Sequence, residues 1–455
     1  MLQTTPPDFA AFVTDRALGS ETPPPVFRPI QYLGSKLRSI KPLLLHTRHL
    51  FGHGDLVVDC FSGSSVVSQA FANAGARVVA VDSQQFCQHI ASAMLGVSRQ
   101  EAERCAEVAS VLTQQFSLLE MPGELGTLLD AEDCMLSSGP SRELVEFYQS
   151  LPQVWNSSKK RDWFTSANAH QSQSDFGFSS IIASHYSGTY FGLRQALFFD
   201  YIRSQIHSLR EKNAIGEWTG NALLTALYSA MSTSVCSAGK HFAQPLAAKD
   251  TGNAKFRVAR LYADRSINCM QVFKDAALQV DESSQSGQTE HSAWATPIAS
   301  VHSKLGEMKP RLIYADPPYT AQQYSRFYHV LEVAAINKAP ELQMIKGKVT
   351  SGLYNVDRYK SPFSSKTDAP AAFRGLVETA KKAGASFALS YSASSENSNG
   401  NSRMIGLPEI SEICEYYFGK RVRIVELSHA YRPFNSENNN NSNRNDPEIL
   451  IVCEA

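Results

Sequence analysis

The sequence predicts an α/β fold: a doubly wound parallel sheet interrupted by a large, mostly helical insertion. Three observations carry that expectation. Residues 56–60, Leu-Val-Val-Asp-Cys, are a short apolar run ending in a turn of small residues. A helical segment from about Val66 to Ala74 follows, and Gly75 breaks it before a second apolar run over 77–82. The same pattern returns far along the chain at 311–315, Arg-Leu-Ile-Tyr-Ala. Strand, small-residue turn, helix, strand is the opening of a parallel sheet, whose strands are buried on both faces and therefore read as unbroken apolar runs.

Taken in order, residues 1–30 are Pro-rich and weakly patterned, an N-terminal arm. Asp59 lies at the end of the first strand and Asp82 at the end of the second. Residues 88–304 break the βα rhythm and read as the insertion, with helical stretches at 143–150, 193–213 and 220–235. Within it, 281–297 is polar and low in complexity and is expected to be a loop. The strand at 311–315 leads into Asp316-Pro317-Pro318-Tyr319. A helix over 371–383 precedes a strand over 386–391, and 421–429 and 448–454 form a closing pair. The Asn/Ser-rich stretch Asn435 to Asp446 between them is read as a loop.

Composition narrows the function classes. The chain has 455 residues, enough for two or three domains or one large domain with an insertion. Hydrophobic residues make up 43% and charged residues 19%, too apolar for a disordered chain. No apolar run approaches the ~20 residues of a membrane span. The N-terminus carries no basic patch before an apolar stretch, which argues against a secretory signal and for a cytoplasmic protein. Lys+Arg and Asp+Glu both number 43, so a uniformly basic nucleic-acid coat is excluded while a local basic groove is not. The eight cysteines form no CxxC pair and read as reduced packing residues. His46, His49 and His53 mimic a metal-ligand spacing, but no carboxylate or cysteine joins them, and no metal is expected.

Asp316-Pro317-Pro318-Tyr319 is the sharpest signal. A carboxylate at the carboxyl end of a buried strand lies where open α/β sheets hold their ligands. The two prolines stiffen the turn and remove two N–H donors, leaving carbonyls as acceptors. An acceptor, a carbonyl and a flat ring suit a planar, amine-bearing base. The competing reading is an ordinary strand-end turn. Context favours the first. Asp59-Cys60-Phe61-Ser62-Gly63-Ser64 is a small-residue turn that lets a ligand approach the backbone. Asp82 lies where an acid commonly grips a ribose diol. Tyr32-Leu33-Gly34-Ser35-Lys36 precedes the first strand and is no P-loop.

These residues, in this order, resemble the adenine-N6 DNA methyltransferases of the alpha motif order, the Dam-like class. Those enzymes carry a Tyr-x-Gly-Ser-Lys stretch, an Asp-x-Phe-x-Gly-Ser turn, a long insertion with target recognition, then Asp-Pro-Pro-Tyr. The run from Asp316 through Ser325 and Tyr328-His329-Val330-Leu331-Glu332 is similar to a subgroup that accompanies type II restriction systems. So are Tyr190-Phe191-Gly192 and Phe199-Asp200-Tyr201-Ile202-Arg203. The likeness covers 30–90 and 310–455 well and 185–260 loosely. Two departures stand out: the family turn usually has Gly where Ser65 stands, and often Pro where Cys60 stands.

The resemblance implies a Rossmann-like S-adenosylmethionine-dependent methyltransferase sheet. It implies a catalytic domain from 31–87 and 305–455, with target recognition in 88–304. It implies S-adenosyl-L-methionine as cofactor and transfer of its methyl group to a flipped adenine in double-stranded DNA. Asp316 and the Pro317 carbonyl would accept the amine hydrogens, with Pro318 completing the turn and Tyr319 stacking on the base. Tyr32, Gly34, Ser35 and Lys36 would line the methionine end, with Lys36 at its carboxylate. Asp59, Phe61, Ser62, Gly63 and Ser64 would line the centre, and Asp82 would take the ribose hydroxyls. An acid for the cofactor's adenine is not assigned; Asp275 is distant in sequence, and His302 and Ser303 are nearer. A separate restriction endonuclease or defence-complex subunit is the partner implied. An RNA adenine methyltransferase and a catalytically silent DNA-binding subunit are the alternatives.

DNA contact is sought in the insertion. Residues 201–275 carry roughly twice as many Lys+Arg as Asp+Glu. Lys240, His241, Lys249, Lys255, Arg257, Arg260 and Arg265, with interleaved aromatics, suit phosphate contact, against the alternative of a solvated face. The Arg432–Asn445 loop is a second candidate. Tyr324, Phe327, Tyr328 and Leu331 have helical spacing and read as core. A cytosine-C5 enzyme is disfavoured because no Pro-Cys nucleophile motif occurs.

Overall fold

The computed structural model describes residues 25–121, 123–156, 177–246, 254–286, 289–392, 403–431 and 446–455. A seven-stranded sheet forms its centre: β1 (Leu56–Cys60), β2 (Arg77–Asp82), β3 (Ser292–Ala295), β4 (Leu312–Ala315), β5 (Ser386–Ser392), β6 (Val422–Tyr431) and β7 (Asp446–Cys453). The strand order is β3-β2-β1-β4-β5-β7-β6. The first five strands are parallel, and β7 runs antiparallel between β5 and β6. The chain steps from β1 outward to β3, then returns to the other side of β1 with β4. The crevice at the carboxyl ends of β1 and β4 is thus a topological switch point, where such sheets take ligands.

Thirteen helices of eight or more residues surround the sheet or form the insertion among the described residues. They are α1 (Ile40–Thr47), α2 (Val66–Asn73), α3 (Gln85–Met94), α4 (Cys105–Ser117), α5 (Gly123–Ser137), α6 (Arg142–Ser150), α7 (Leu193–Glu211), α8 (Glu217–Ser234), α9 (Ala254–Arg265), α10 (Cys269–Ser283), α11 (His329–Ile336), α12 (Ala369–Lys382) and α13 (Leu407–Phe418). One apolar cluster lies under α12 and α13 and includes Phe373, Leu376, Ile410 and Phe418. The other face of the sheet, with Val57, Phe71 and Tyr314, packs against α2. The largest cluster belongs to the insertion and joins α3, α7, α8 and α10 through Phe86, Phe198, Trp218 and Phe273. Helix α8 is buried along nearly its whole length because it runs through this core; Trp218 and Tyr228 are fully buried.

The βαβ opening, the strand before Asp316, the helices at 143–150, 193–213 and 220–235 and the closing strand pair all stand where the sequence places them. One expectation fails. The segment 281–297 is not a loop throughout: α10 runs to Ser283, and Ser292–Ala295 is β3, paired in parallel with Val79–Asp82. The sheet therefore resumes before residue 305. Only four half-buried residues, Ser-Ala-Trp-Ala, form this edge strand, too short a run beside the polar 281–291 to read as a buried strand. Residues 1–24 of the N-terminal arm, Lys249 and the Arg432–Asn445 loop lie outside the described residues. No helix among the described residues is long and apolar enough to cross a membrane.

Candidate active site

The turn after β1 is built on left-handed backbone. Phe61, Gly63 and Ser65 all have positive φ, at 65°, 51° and 63°. Ser65, where the resembling family has glycine, occupies a conformation that glycine adopts without steric cost. The turn folds over β2: Ser62 N donates to Val81 O at 3.0 Å. Gly63 N donates to Asp82 Oδ2 and Gln84 N to Asp82 Oδ1, each at 3.1 Å. A Cβ on Gly63 would lie 2.6 Å from the Tyr32 ring, so glycine here is what lets Tyr32 close on the turn. Tyr32 stacks on Tyr328 with centroids 4.8 Å apart, and the Tyr328 hydroxyl accepts from Leu33 N at 2.7 Å. The Tyr32–Lys36 stretch is thereby docked against the segment that follows β4.

Asp316 stands just beyond β4. Lys36 Nζ lies 2.8 Å from Asp316 Oδ1 and 2.8 Å from Glu448 Oε1. Glu448 is on β7, and its other oxygen accepts from Ser39 Oγ at 2.9 Å. Lys36 is buried, yet the two carboxylates hold its ammonium well above the usual lysine range. Asp59 accepts a 2.5 Å hydrogen bond from Ser68 Oγ of α2. Burial raises the Asp59 carboxyl to about 7, and the charges of Asp316 and Asp82 add to the effect. Burial likewise raises Asp316 to about 6, opposed by Lys36 and reinforced by Glu448. Asp82 is raised by burial as well, against the backbone N–H groups that stabilise its charge.

A cleft of about 600 Å³ opens at this point. Tyr32, Phe61, Asp82, Asp316 and Pro318 of the expected residues line it, joined by Gln84, Ile298, Tyr324 and Tyr359. Gly34, Ser35, Lys36, Asp59, Ser62, Gly63 and Ser64 stand behind this wall as its support. The hydroxyls of Ser35, Ser62 and Ser65 and the Gln84 amide oxygen are buried without a hydrogen-bond partner in the structure. Buried polar atoms left unpaired are costly, and of these residues Gln84 lines the cleft, where a polar ligand could complete its bonding. Asp82 and Asp316 line the cleft, and a cation bound there would favour their ionised forms against burial.

Tyr319 does not line the cleft. Its ring meets Tyr391 edge-on at 5.6 Å, and the Arg403 guanidinium lies over it at 4.9 Å. Arg403 is itself held by Ser392, so the ring is braced from the β5 side.

Four residues of the basic stretch are turned to structural use. Lys240 donates to Thr233 O and Val235 O and pairs with Asp264 at 2.7 Å. Arg260 pairs with the same carboxylate at 2.9 Å. His241 is buried against the Phe327 ring, and burial lowers its imidazole to about 4, so it is neutral at physiological pH. Arg265 is buried and donates to Tyr190 O at 2.6 Å. Arg257 is half-buried on α9, which also carries Lys255. Lys240, His241, Arg260 and Arg265 are therefore not part of one exposed basic stripe.

Sequence reasoning missed Glu448, Gln84, Tyr324 and Ile298. Tyr324 reads as core by its helical spacing but lines the cleft, because the short turn Tyr324–Phe327 ends before α11 and aims it back toward Tyr32. After β3 it is Ile298 that lines the cleft, while His302 and Ser303 are exposed on the next turn. Glu448 had one signal, a lone acid opening the apolar run Ile449–Cys453. Glu332, noted only as part of a motif, accepts from Gln85 N and Phe86 N and so caps α3, which fixes the Ser83–Gln84 wall. Among the described residues no group of three or more His, Cys, Asp or Glu is arranged to hold a metal.

No family model matches the chain. Its sequence is similar to Modification methylase StsI of Streptococcus sanguinis, 26% identical over 189 residues, which is 42% of this chain and 24% of that protein. The chain thus matches about a quarter of that relative's length.

Proposed function

We propose that this chain is a site-specific DNA methyltransferase of a restriction-modification or phage-defence system. It uses S-adenosyl-L-methionine to methylate the N6 of an adenine flipped out of double-stranded DNA. The observation that carries the reading is the place of Asp316. It stands at the switch point, at the mouth of a cleft it shares with Asp82 and Tyr32. The partial similarity to a modification methylase supports the reaction class.

The residues present fit the cofactor. Its ammonium and sulfonium are positive, and Asp59, Asp82 and Asp316 supply negative charge held out of water. Asp82 lines the cleft and is held by backbone N–H groups of Gly63 and Gln84, the place where a ribose diol would be gripped. Gln84 offers an unpaired amide oxygen at the cleft wall. Bound there, S-adenosylmethionine supplies an electrophilic methyl group.

The chain's own work is on the acceptor. An exocyclic amine is a weak nucleophile because its lone pair is delocalised into the ring. Asp316 and the Pro317 carbonyl accept its two hydrogens and favour a nitrogen with a localised lone pair. Both acceptors are held before the reaction, by Lys36 and by the proline turn, so they stabilise charge as it develops. The amine proton departs as the methyl arrives or after it, with Asp316 beside it as acceptor. Tyr319, packed against Tyr391 and beneath Arg403, braces the proline turn. Flipping the base costs a few kcal/mol, which binding must offset. The catalytic unit comprises 31–87 and the chain from β3 onward, and the helical insertion carries target recognition.

Single-molecule sequencing of plasmid DNA from a methylation-free host expressing this chain, beside an Asp316→Ala control, tests the reading. N6-methyladenine at one recurrent motif, lost in the control, is expected. Unmodified DNA from both strains, with soluble protein present, overturns it.

A further inference from the structure

The segment after α11 builds an arm that the reaction does not use. Met344–Ile345 and Lys348–Val349 pair as an antiparallel two-stranded ribbon. Its tip is Lys346-Gly347, with φ of 49° and 74°. Positive φ at both central residues is the geometry of a tight hairpin turn that favours Asn-Gly or Asp-Gly. A lysine in the first position is sterically disfavoured there, which places a cation at the extreme tip at a conformational cost.

The ribbon projects into solvent on both faces. Met344 and Ile345 are 55% and 57% exposed, although neighbouring strand residues point to opposite sides. Lys346 and Lys348 are exposed beside them. Over 338–360 there are five Lys and Arg against two Asp and Glu, in a chain whose overall charge is zero.

A two-residue ribbon alone is not stable in water. Here its base is clamped. Gln343 N donates to Tyr354 O at 2.7 Å, and Arg358 donates to the Gln343 side chain at 3.1 Å. The guanidiniums of Arg326 and Arg358 lie over the Tyr354 ring at 4.8 and 5.5 Å. Below it, Ser325 Oγ donates to Tyr359 O, and Gln323 and Ser361 exchange two hydrogen bonds. Gln323, Ser325, Tyr359 and Ser361 all line the cleft. The exposed tip is therefore fixed relative to Asp316 by a short chain of direct bonds.

Two exposed apolar side chains followed by two lysines, on a ribbon tied at its base to residues that line the cleft, match duplex DNA: the lysines meet phosphates and the apolar pair enters a groove or a base step. We infer that the Met344–Val349 hairpin docks on duplex DNA beside the target nucleotide, its lysines on the backbone and Met344 and Ile345 against the bases. The inference rests on the DNA reading of the site and adds a contact surface outside the helical insertion.

The test uses the full-length chain in three forms: wild type, Lys346→Ala/Lys348→Ala, and Met344→Ala/Ile345→Ala. Each is measured for S-adenosylmethionine binding by calorimetry, for mixed-sequence duplex binding across a salt series, and for methyl incorporation into plasmid DNA. Met344, Ile345, Lys346 and Lys348 are all exposed, so melting and cofactor binding of the variants should match wild type. The lysine variant should bind duplex about tenfold more weakly, with its salt slope reduced by about two. The apolar variant should keep that slope and lose about tenfold in methyl transfer. If wild type methylates DNA and both variants match it, the hairpin assignment is overturned while the function stands. If wild type neither binds nor methylates duplex DNA, or accepts only RNA, both fall. A variant that methylates normally but loses a protein partner also overturns the DNA assignment.

Discussion

The Lys36 ammonium lies 2.8 Å from Asp316 Oδ1. The lysine that resemblance assigns to the cofactor's carboxylate is here the counter-ion of the acid at the centre of the site, shared with Glu448. Its charge is the main influence that lowers the Asp316 carboxyl against burial.

Lys36→Met should therefore push Asp316 above its value of about 6, since burial and Glu448 then act unopposed. The acid limb of the methyl-transfer pH profile should move upward, with a larger loss at pH 6 than at pH 9. Lys36→Arg should restore most of the wild-type profile. A variant with an unshifted acid limb would show that Lys36 does not govern Asp316.

Asp316→Ala should reduce methyl transfer at least about a hundredfold, the scale of losing one preorganised electrostatic partner. Cofactor binding by calorimetry should change little, because Asp82 and the turn after β1 are untouched. Turnover near wild type would remove Asp316 from the acceptor role.

Asp59 predicts opposed effects on stability and binding. Its carboxyl is at about 7 in the folded chain against an ordinary 3.8. A raised carboxyl contributes stability fully present below about pH 4 and lost as pH climbs through 7, because ionisation in the folded state is penalised. Asp59→Asn should melt like wild type near pH 4 and about 1–3 °C higher at pH 8. It should also bind S-adenosylmethionine less tightly, since a negative charge facing a cationic ligand is gone. Equal melting temperatures at pH 8 would contradict the buried charge.

In wild type the same linkage makes cofactor binding expel protons. A cationic ligand favours ionised Asp59 and Asp316, so affinity should fall as pH drops from 8 to 6. Calorimetry in buffers of different ionisation enthalpy reads the proton release directly. Binding that is independent of pH and buffer would refute it.

Lys240→Ala should act on stability. It removes a cation bonded to Asp264, whose side chain is only 5% exposed, and to two carbonyls. A destabilisation of about 1–3 kcal/mol is expected from leaving those groups underpaired. Duplex affinity of the folded variant should stay within about twofold, since this lysine's ammonium is already engaged. A large fall in duplex affinity without a stability change would return Lys240 to the DNA surface.

The sequence by itself determined the local parts. The βαβ opening, the acids at the ends of β1 and β2, and Asp316 after β4 were legible because each rests on a short apolar run broken by a small-residue or proline turn. Such patterns are set by neighbours a few residues apart. Only the tertiary structure decided that Ser292–Ala295 is the sheet's edge, because its pairing with β2 comes from the fold and not from its own apolar content. The same holds for Tyr324, turned from core to cleft by a break in its helix, and for Lys240 and Arg260, drawn onto one buried acid. Glu448 shows the reason most clearly. It reaches Ser39 across 409 positions and Lys36 beside it, and it does so because β7 enters the sheet antiparallel between β5 and β6. A buried charge needs its partner in space, and sequence spacing carries no record of which strand will supply it.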